Sequence, residues 1–216
     1  MNSVSDPATD ISQQGAPSGA SDPEVAAPAT VSAIWDDLVA HTQPRRGRAR
    51  WKYTLMLIAT ALLSSGFHMV ALWRFGALFH RWGLLPLSFI IEKIIYHWYH
   101  CLIPCSVRIG PGLWVPHPLG IVFSSKATLG RDVWVRQHVQ ILHVWAYGEG
   151  GVVGDRASLN TSAMLLKGAR VGHDAIIAAG AIVTCEVPPA HLAIGAPAAA
   201  RPLRPDQRRE SIDRTA

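Results

Sequence analysis

The stretch GLWVPHPLGIVFSSKATLG, residues 112–130, sets one imidazole, His117, between Pro116 and Pro118 inside a run of Val, Ile and Leu. Two prolines so close together remove backbone donors and fix φ, so this is neither a helix interior nor an ordinary central strand. An imidazole titrates near neutrality and can take a proton from a hydroxyl; at a corner it can equally be an idle surface group. His138 and His143 are five apart, a separation two zinc ligands can have, but a third ligand at suitable spacing is hard to assign. His68, His80, His97 and His100 stand among apolar residues and read as structural or interfacial. The three cysteines, Cys101, Cys105 and Cys185, form no C-x-x-C pair and leave an odd one over, which argues for a reducing compartment without a disulfide framework.

The surroundings of these groups divide by composition. Of 216 residues, 49% are hydrophobic and only 16% charged, so partner subunits, membrane or packed faces are expected to cover much of the surface. The net charge of +5 is concentrated at 45–52 (RRGRARWK) and after Arg201, with no nucleic-acid motif, and nucleic acid is not an expected partner. Residues 1–30, rich in Ser, Ala, Pro, Asp and Gly, read as a disordered polar tail, and they lack the positive-then-apolar order of a secretory signal.

Residues 31–104 read as a helical, membrane-associated region. Val31 to Thr42 suit a short amphipathic helix. Thr54 to Trp73 carry no Asp, Glu, Lys or Arg, which is long enough to span a bilayer with the basic cluster on the cytoplasmic side. Ser64-Ser65-Gly66 sits mid-run as a break and cap, which instead divides the run into two shorter helices of a bundle or a membrane-surface layer. Residues 87–102 (LSFIIEKIIYHWYHCL) read as an amphipathic helix with Ile90, Ile91, Ile94 and Ile95 on one face, ended by Pro104.

From there the period becomes six. Val153, Leu159, Leu165, Val171, Ile177 and Val183 are six apart, and Ala157, Ala163, Ala169, Ala175 and Ala181 follow the first five by four residues. Leu129, Val135, Ile141 and Tyr147 extend the frame backwards; Ile109, Val115 and Ile121 join it after a two-residue slip, expected as a bulge at Ser124 to Thr128. Glycines at 110, 130, 154 and 172 suit tight corners where φ turns positive. A helix needs a period near 3.6 and a plain strand a period of 2, so six points to a parallel β-helix of short flat rungs over 105–200, followed by a basic tail at 201–216. The prolines around His117 then occupy a corner.

With these residues in view, GFHMVALWRFGALFHRWG (66–83), IPCSVRIGPGLWVPHPLGIV (103–122), LGRDVWVRQHVQILH (129–143) and AAGAIVTCEVPPAHLAIGAPA (178–198) resemble the hexapeptide-repeat acyltransferases. The nearest branch is the serine acetyltransferase-like one, which includes polysaccharide and sugar O-acetyltransferases. The resemblance implies a mainly β fold, a left-handed parallel β-helix with an N-terminal α-helical region, assembled as a homotrimer with acetyl-CoA in the groove between prisms. It places His117 as the catalytic base, His143 at the acceptor or thioester end, and Thr161, Ala179 and Thr184 along the cofactor; no metal is expected.

The resemblance is incomplete where the family holds serine. By the resemblance, Leu102 stands where an aspartate would pair with the catalytic histidine and Pro116 where another would help hold serine, and Tyr147 to Val153 keep the six-step register, leaving no room for a loop bearing an Arg-His pair. The expected function is therefore acetyl-CoA-dependent O-acetylation of a sugar or lipid-linked oligosaccharide hydroxyl in surface or exopolysaccharide assembly, in the cytoplasm at the inner face of the membrane. Serine O-acetylation in cysteine biosynthesis, a zinc protein resembling γ-class carbonic anhydrases, and a non-catalytic hexapeptide scaffold are the alternatives.

Overall fold

A computed structural model describes residues 31–42, 50–143, 150–204 and 207. The polar tail expected at 1–30, part of the basic cluster, and most of the basic tail lie outside these residues. Four helices come first: α1 (Val31–Thr42), α2 (Arg50–Leu63), α3 (Ser65–Arg81) and α4 (Leu85–Tyr99). The rest is a three-walled column, parallel except for the last strand, which pairs antiparallel with the one before it. Wall 1 holds β1 (Arg108–Ile109), β3 (Thr128–Leu129), β6 (Val152–Val153) and β9 (Arg170–Val171). Wall 2 holds β4 (Trp134–Val135), β7 (Ser158–Leu159), β10 (Ile176–Ile177), β12 (His191–Gly195) and β13 (Ala198–Pro202). Wall 3 holds β2 (Val122–Phe123), β5 (Gln140–Ile141), β8 (Met164–Leu165) and β11 (Ile182–Val183).

The period explains the walls. Each two-residue strand points one aliphatic side chain into the column, and the inward residues Leu129, Val135, Ile141, Val153, Leu159, Leu165, Ile177 and Val183 are all fully buried. The alanines four residues later fill the space at the corners and are buried too. Every rung covers the apolar end of its neighbour, so the core is one continuous stack.

The register corrects three details. Val115 precedes the next inward residue, Phe123, by eight residues, and Phe123 pairs with Ile141. The two extra residues therefore lie in the corner that carries His117, while Ser124 to Ala127 make an ordinary corner closed by Ala127 N–H to Ser124 O at 2.9 Å. Val153 pairs with Leu129, twenty-four residues earlier, whereas Val171 follows Val153 by eighteen. Six residues are thus inserted between β5 and β6, and the wall position expected for Tyr147 belongs to Val153; residues 144–149 lie outside the described residues. Finally, Gly110, Gly130, Gly154 and Gly172 are not at positive φ; a Cβ on any of them would strike the backbone of the next rung. The left-handed conformations fall two residues later, at Gly112, Asp132, Arg156 and Asp174.

The run from Thr54 breaks at Ser64, whose Oγ accepts from Phe67 N–H at 3.2 Å as the α3 N-cap. Among the described residues no single helix is long and apolar enough to cross a membrane; Thr54–Leu63 and Ser65–Arg81 pass that test only as a pair bent by 74°. In α4 only Ile91 and Ile95 of the four isoleucines are buried; Ile90 and Ile94 are exposed, so the inward stripe is narrower than the sequence pattern suggests. The helix also stops at Tyr99, with His100 as a left-handed C-cap, well before Pro104.

Candidate functional site

Stacking turns each corner of the column into an edge. Along the edge between walls 2 and 3, His138 N–H donates to Leu119 O, Ser162 N–H to Gln137 O, and Gly180 N–H to Thr161 O. His117, Thr161 and Ala179, far apart in sequence, therefore lie on one edge at successive levels, with Gln137 between His117 and Thr161. His117 is exposed, and none of the described residues hydrogen-bonds its ring. Thr161 is half-buried and Ala179 exposed.

His143 and Thr184 go elsewhere. Each follows a wall 3 strand, β5 and β11 respectively, and so sits at the opposite edge, between walls 3 and 1. Both are half-buried. At roughly 3.3 Å per residue, the six residues from Gln137 to His143 set the two edges on the order of 15–20 Å apart. One chain cannot close all five residues around one substrate.

Two groups escaped the sequence reading. Gln137 lies one level from His117 on the same edge, and its Oε1 is buried without a hydrogen-bond partner among the described residues. A buried orphan carbonyl costs free energy unless something donates to it. Nothing in the six-residue pattern marks it, because it occupies a corner slot where any polar residue is tolerated.

The second is the junction of the helices with the rung leading to His117. Arg74 on α3 donates to both carboxylate oxygens of Asp37 on α1, at 2.8 and 3.1 Å, and to the carbonyls of Ile109 and Gly110 at 2.7 and 2.6 Å. Asp37 Oδ1 also accepts from Leu113 N–H at 2.9 Å. Burial pushes the Asp37 carboxyl upward, and the Arg74 guanidinium pulls against that. One turn on, His41 Nδ1 donates to Asp37 O at 2.7 Å, so its Nε2 is bare and accepts from Val115 N–H at 3.1 Å. Burial lowers the pKa of His41 accordingly. Gly66 completes the contact: a Cβ there would collide with the carbonyl of Val115. Asp37, Arg74 and Gly66 sit in apolar-patterned helices with no repeat to align them, so only tertiary packing brings them together.

Zinc finds no support here. Among the described residues no group of three or more His, Cys, Asp or Glu side chains is placed to hold a metal ion. His138 is exposed, its Nδ1 lying against Gly120, where a Cβ would be.

An exposed imidazole on the edge of a three-walled β-helix capped by helices defines the class: a left-handed hexapeptide-repeat acyltransferase. Serine acetyltransferase of Escherichia coli K12 is 30% identical over 201 residues, covering 90% of this chain and 67% of that protein. The chain belongs to the serine acetyltransferase family. The crystal structure of Neisseria gonorrhoeae serine acetyltransferase superposes with a TM-score of 0.69 at 26% identity, covering 83% of this chain and 69% of that one. A serine acetyltransferase in complex with CoA, 23% identical and covering 79% and 71% of the two chains, shares the fold with a TM-score of 0.67. A search against protein-family models finds no match. The matches span between 53% and 67% of the length of the first curated relatives, a Schizosaccharomyces pombe protein and the E. coli enzyme.

Proposed function

We propose that this protein transfers the acetyl group of acetyl-CoA to an acceptor hydroxyl, with His117 as general base. The observation that carries this reading is the exposed His117 ring on the same column edge as Thr161 and Ala179, the residues expected along the cofactor. His117 takes the hydroxyl proton as the oxygen attacks the thioester carbonyl; the C–S bond breaks, and the proton passes to the departing CoA thiolate. Backbone N–H groups at the corners stabilise the oxyanion.

The active unit in this proposal is a homotrimer. His143 and Thr184 lie on the opposite edge of wall 3, so two copies bring one edge each to a shared groove, and acetyl-CoA lies between them. A solved relative carries CoA, which favours this cofactor.

Two acceptors compete. The relatives carry the name serine acetyltransferase, and this favours serine. Against it, Pro116 replaces the aspartate that would help hold the amino acid. Strand pairing allows six extra residues between β5 and β6, yet no Arg or Lys occurs from 137 to 155, so that stretch brings no basic side chain to a serine carboxylate. A saccharide hydroxyl, on a lipid-linked precursor at the inner membrane face, needs neither clamp.

The test is acetyl transfer from labelled acetyl-CoA to a panel of serine, nucleotide sugars and lipid-linked oligosaccharides, with wild type and His117→Ala. Transfer should fall by about 10²–10⁴-fold in H117A with the oligomer intact. Transfer undiminished in H117A would remove the histidine from the chemistry.

A further inference from the structure

Beside His117 the column carries an aromatic surface that the acetyl-transfer chemistry does not require. We propose that Trp114, Trp134 and Arg136 form an acceptor subsite that takes the ring of a neutral pyranose. The proposal rests on the acetyl-transfer reading above and chooses between its two acceptors.

Trp114 bridges Trp134 in parallel register on wall 2, and the two indoles are stacked with centroids 3.9 Å apart and planes tilted by 48°. Both point outward and are half-buried. The next two positions in that register are Ser158, which is buried, and Ile176, so the aromatic pair is confined to the level of His117 and the next one. Three residues of backbone separate Trp114 from His117, a reach of at most about 10 Å. The Arg136 guanidinium lies over the Trp114 ring, 5.9 Å from its centroid, at the same column edge as His117.

The chemistry of these groups selects a ring. The faces of an indole are electron-rich, and one face of a pyranose presents several C–H bonds of weakly positive character, so the two stack. Around its rim the sugar offers hydroxyl oxygens to the forked donors of a guanidinium. Arg136 alone would also suit a carboxylate; the indole pair is what serine, with no ring to stack, leaves unused. The adenine of acetyl-CoA is the other group that seeks an aromatic surface. On the proposed reading, however, Thr161 and Ala179 take the cofactor two and three levels from His117, which leaves the acyl end, and with it the acceptor, at the levels of Trp114 and Trp134.

The full-length protein, with its eight tryptophans replaced by 5-fluorotryptophan, allows a direct test by ¹⁹F NMR. Trp114→Phe and Trp134→Phe assign the two signals. Methyl glucoside, methyl galactoside, methyl N-acetylglucosaminide, serine and CoA are then titrated separately. The Trp114 and Trp134 signals should move with at least one pyranoside and with neither serine nor CoA. Movement with serine or CoA alone, or with none of the pyranosides, overturns the subsite. In acetyl transfer, Trp114→Ala should raise the KM of a pyranoside acceptor by roughly ten-fold, Trp114→Phe should restore much of it, and Trp82→Ala, on the exposed end of α3, should leave it unchanged. Wild type that acetylates serine and no pyranoside removes the saccharide reading and the subsite together. Wild type that acetylates a pyranoside with a KM indifferent to Trp114→Ala removes the subsite alone.

Discussion

The column and the helices that cap it are stabilised in opposite ways. Along the column each buried residue meets the same environment on several successive levels: Leu159 lies between Val135 and Ile177, and Leu165 between Ile141 and Val183. The cap shares the apolar core through Met69, Val70, Trp73 and Ile95, but its polar contacts occur once: the Asp37–Arg74 pair, both of whose side chains are at most 1% exposed, and the bond from Val115 N–H to His41. Repetition spreads a defect over neighbours that can adjust, whereas a single buried ion pair has no substitute. The difference also falls close to the proposed base, because the cap grips residues 109–115 and His117 comes two residues later.

That contrast can be broken by mutation, and the largest effect should come from the cap. Asp37→Ala leaves the Arg74 guanidinium buried without its carboxylate and should cost about 3–5 kcal/mol, read by urea unfolding. The paired replacement Asp37→Leu with Arg74→Met should cost much less than the single variant; equal losses would mean that the packing matters and the charges do not. In the column, Leu159→Ala should cost about 2–5 kcal/mol through the cavity it opens, without altering the cap. A loss of the cap's ordered signals in that variant would show the two regions to be one cooperative unit.

Smaller effects sharpen the same division. His41 has a folded pKa below its ordinary 6.5. Its contribution to stability is therefore fully present above about pH 6.5 and is lost as pH falls towards the folded value. Protonation would set an Nε2 proton against Val115 N–H, leaving only the Val115 carbonyl, 3.3 Å away, as an acceptor. Thermal unfolding of the wild type should weaken over that acid range more than that of His41→Gln, and parallel profiles would remove His41 from the account. The smallest effect belongs to the column surface, where Arg156 and Asp174 pair at 2.7–2.8 Å with side chains 36% and 21% exposed. Burial pushes the Asp174 carboxyl up, but Arg156 and His173 hold it below its ordinary value. Arg156→Ala should cost less than about 1 kcal/mol, and a larger loss would mark that edge as an interface.

How much of this was legible before any coordinates varied with the kind of constraint. The column was readable because its inward residues recur every six positions and bury the same kind of surface each time. Its irregularities were read in the wrong places, since a slip of two and an insertion of six both preserve aliphatic residues in a plausible frame. Ile121 is fully buried, as the frame required, yet it fills the small inward slot while Phe123 takes the large one. Tyr147 kept the count, but strand pairing shows that the count had already left the wall. Of the proposed site, the flanking prolines and the family motif single out His117 as a candidate, whereas Gln137 and the Trp114–Trp134 pair announce themselves only when rungs are stacked.

The amino-acid order alone fixed the period, the inward residues, the break at Ser64 and the exposed corner histidine, because each depends on neighbours within a few positions or on a strict repeat. Tertiary structure alone decided which residues share an edge, where the two extra residues go, and how Asp37, Arg74 and His41 hold the rung before His117. Those outcomes depend on which backbone groups come into register across twenty or more positions, and on buried charges finding partners on other elements, neither of which local pattern specifies.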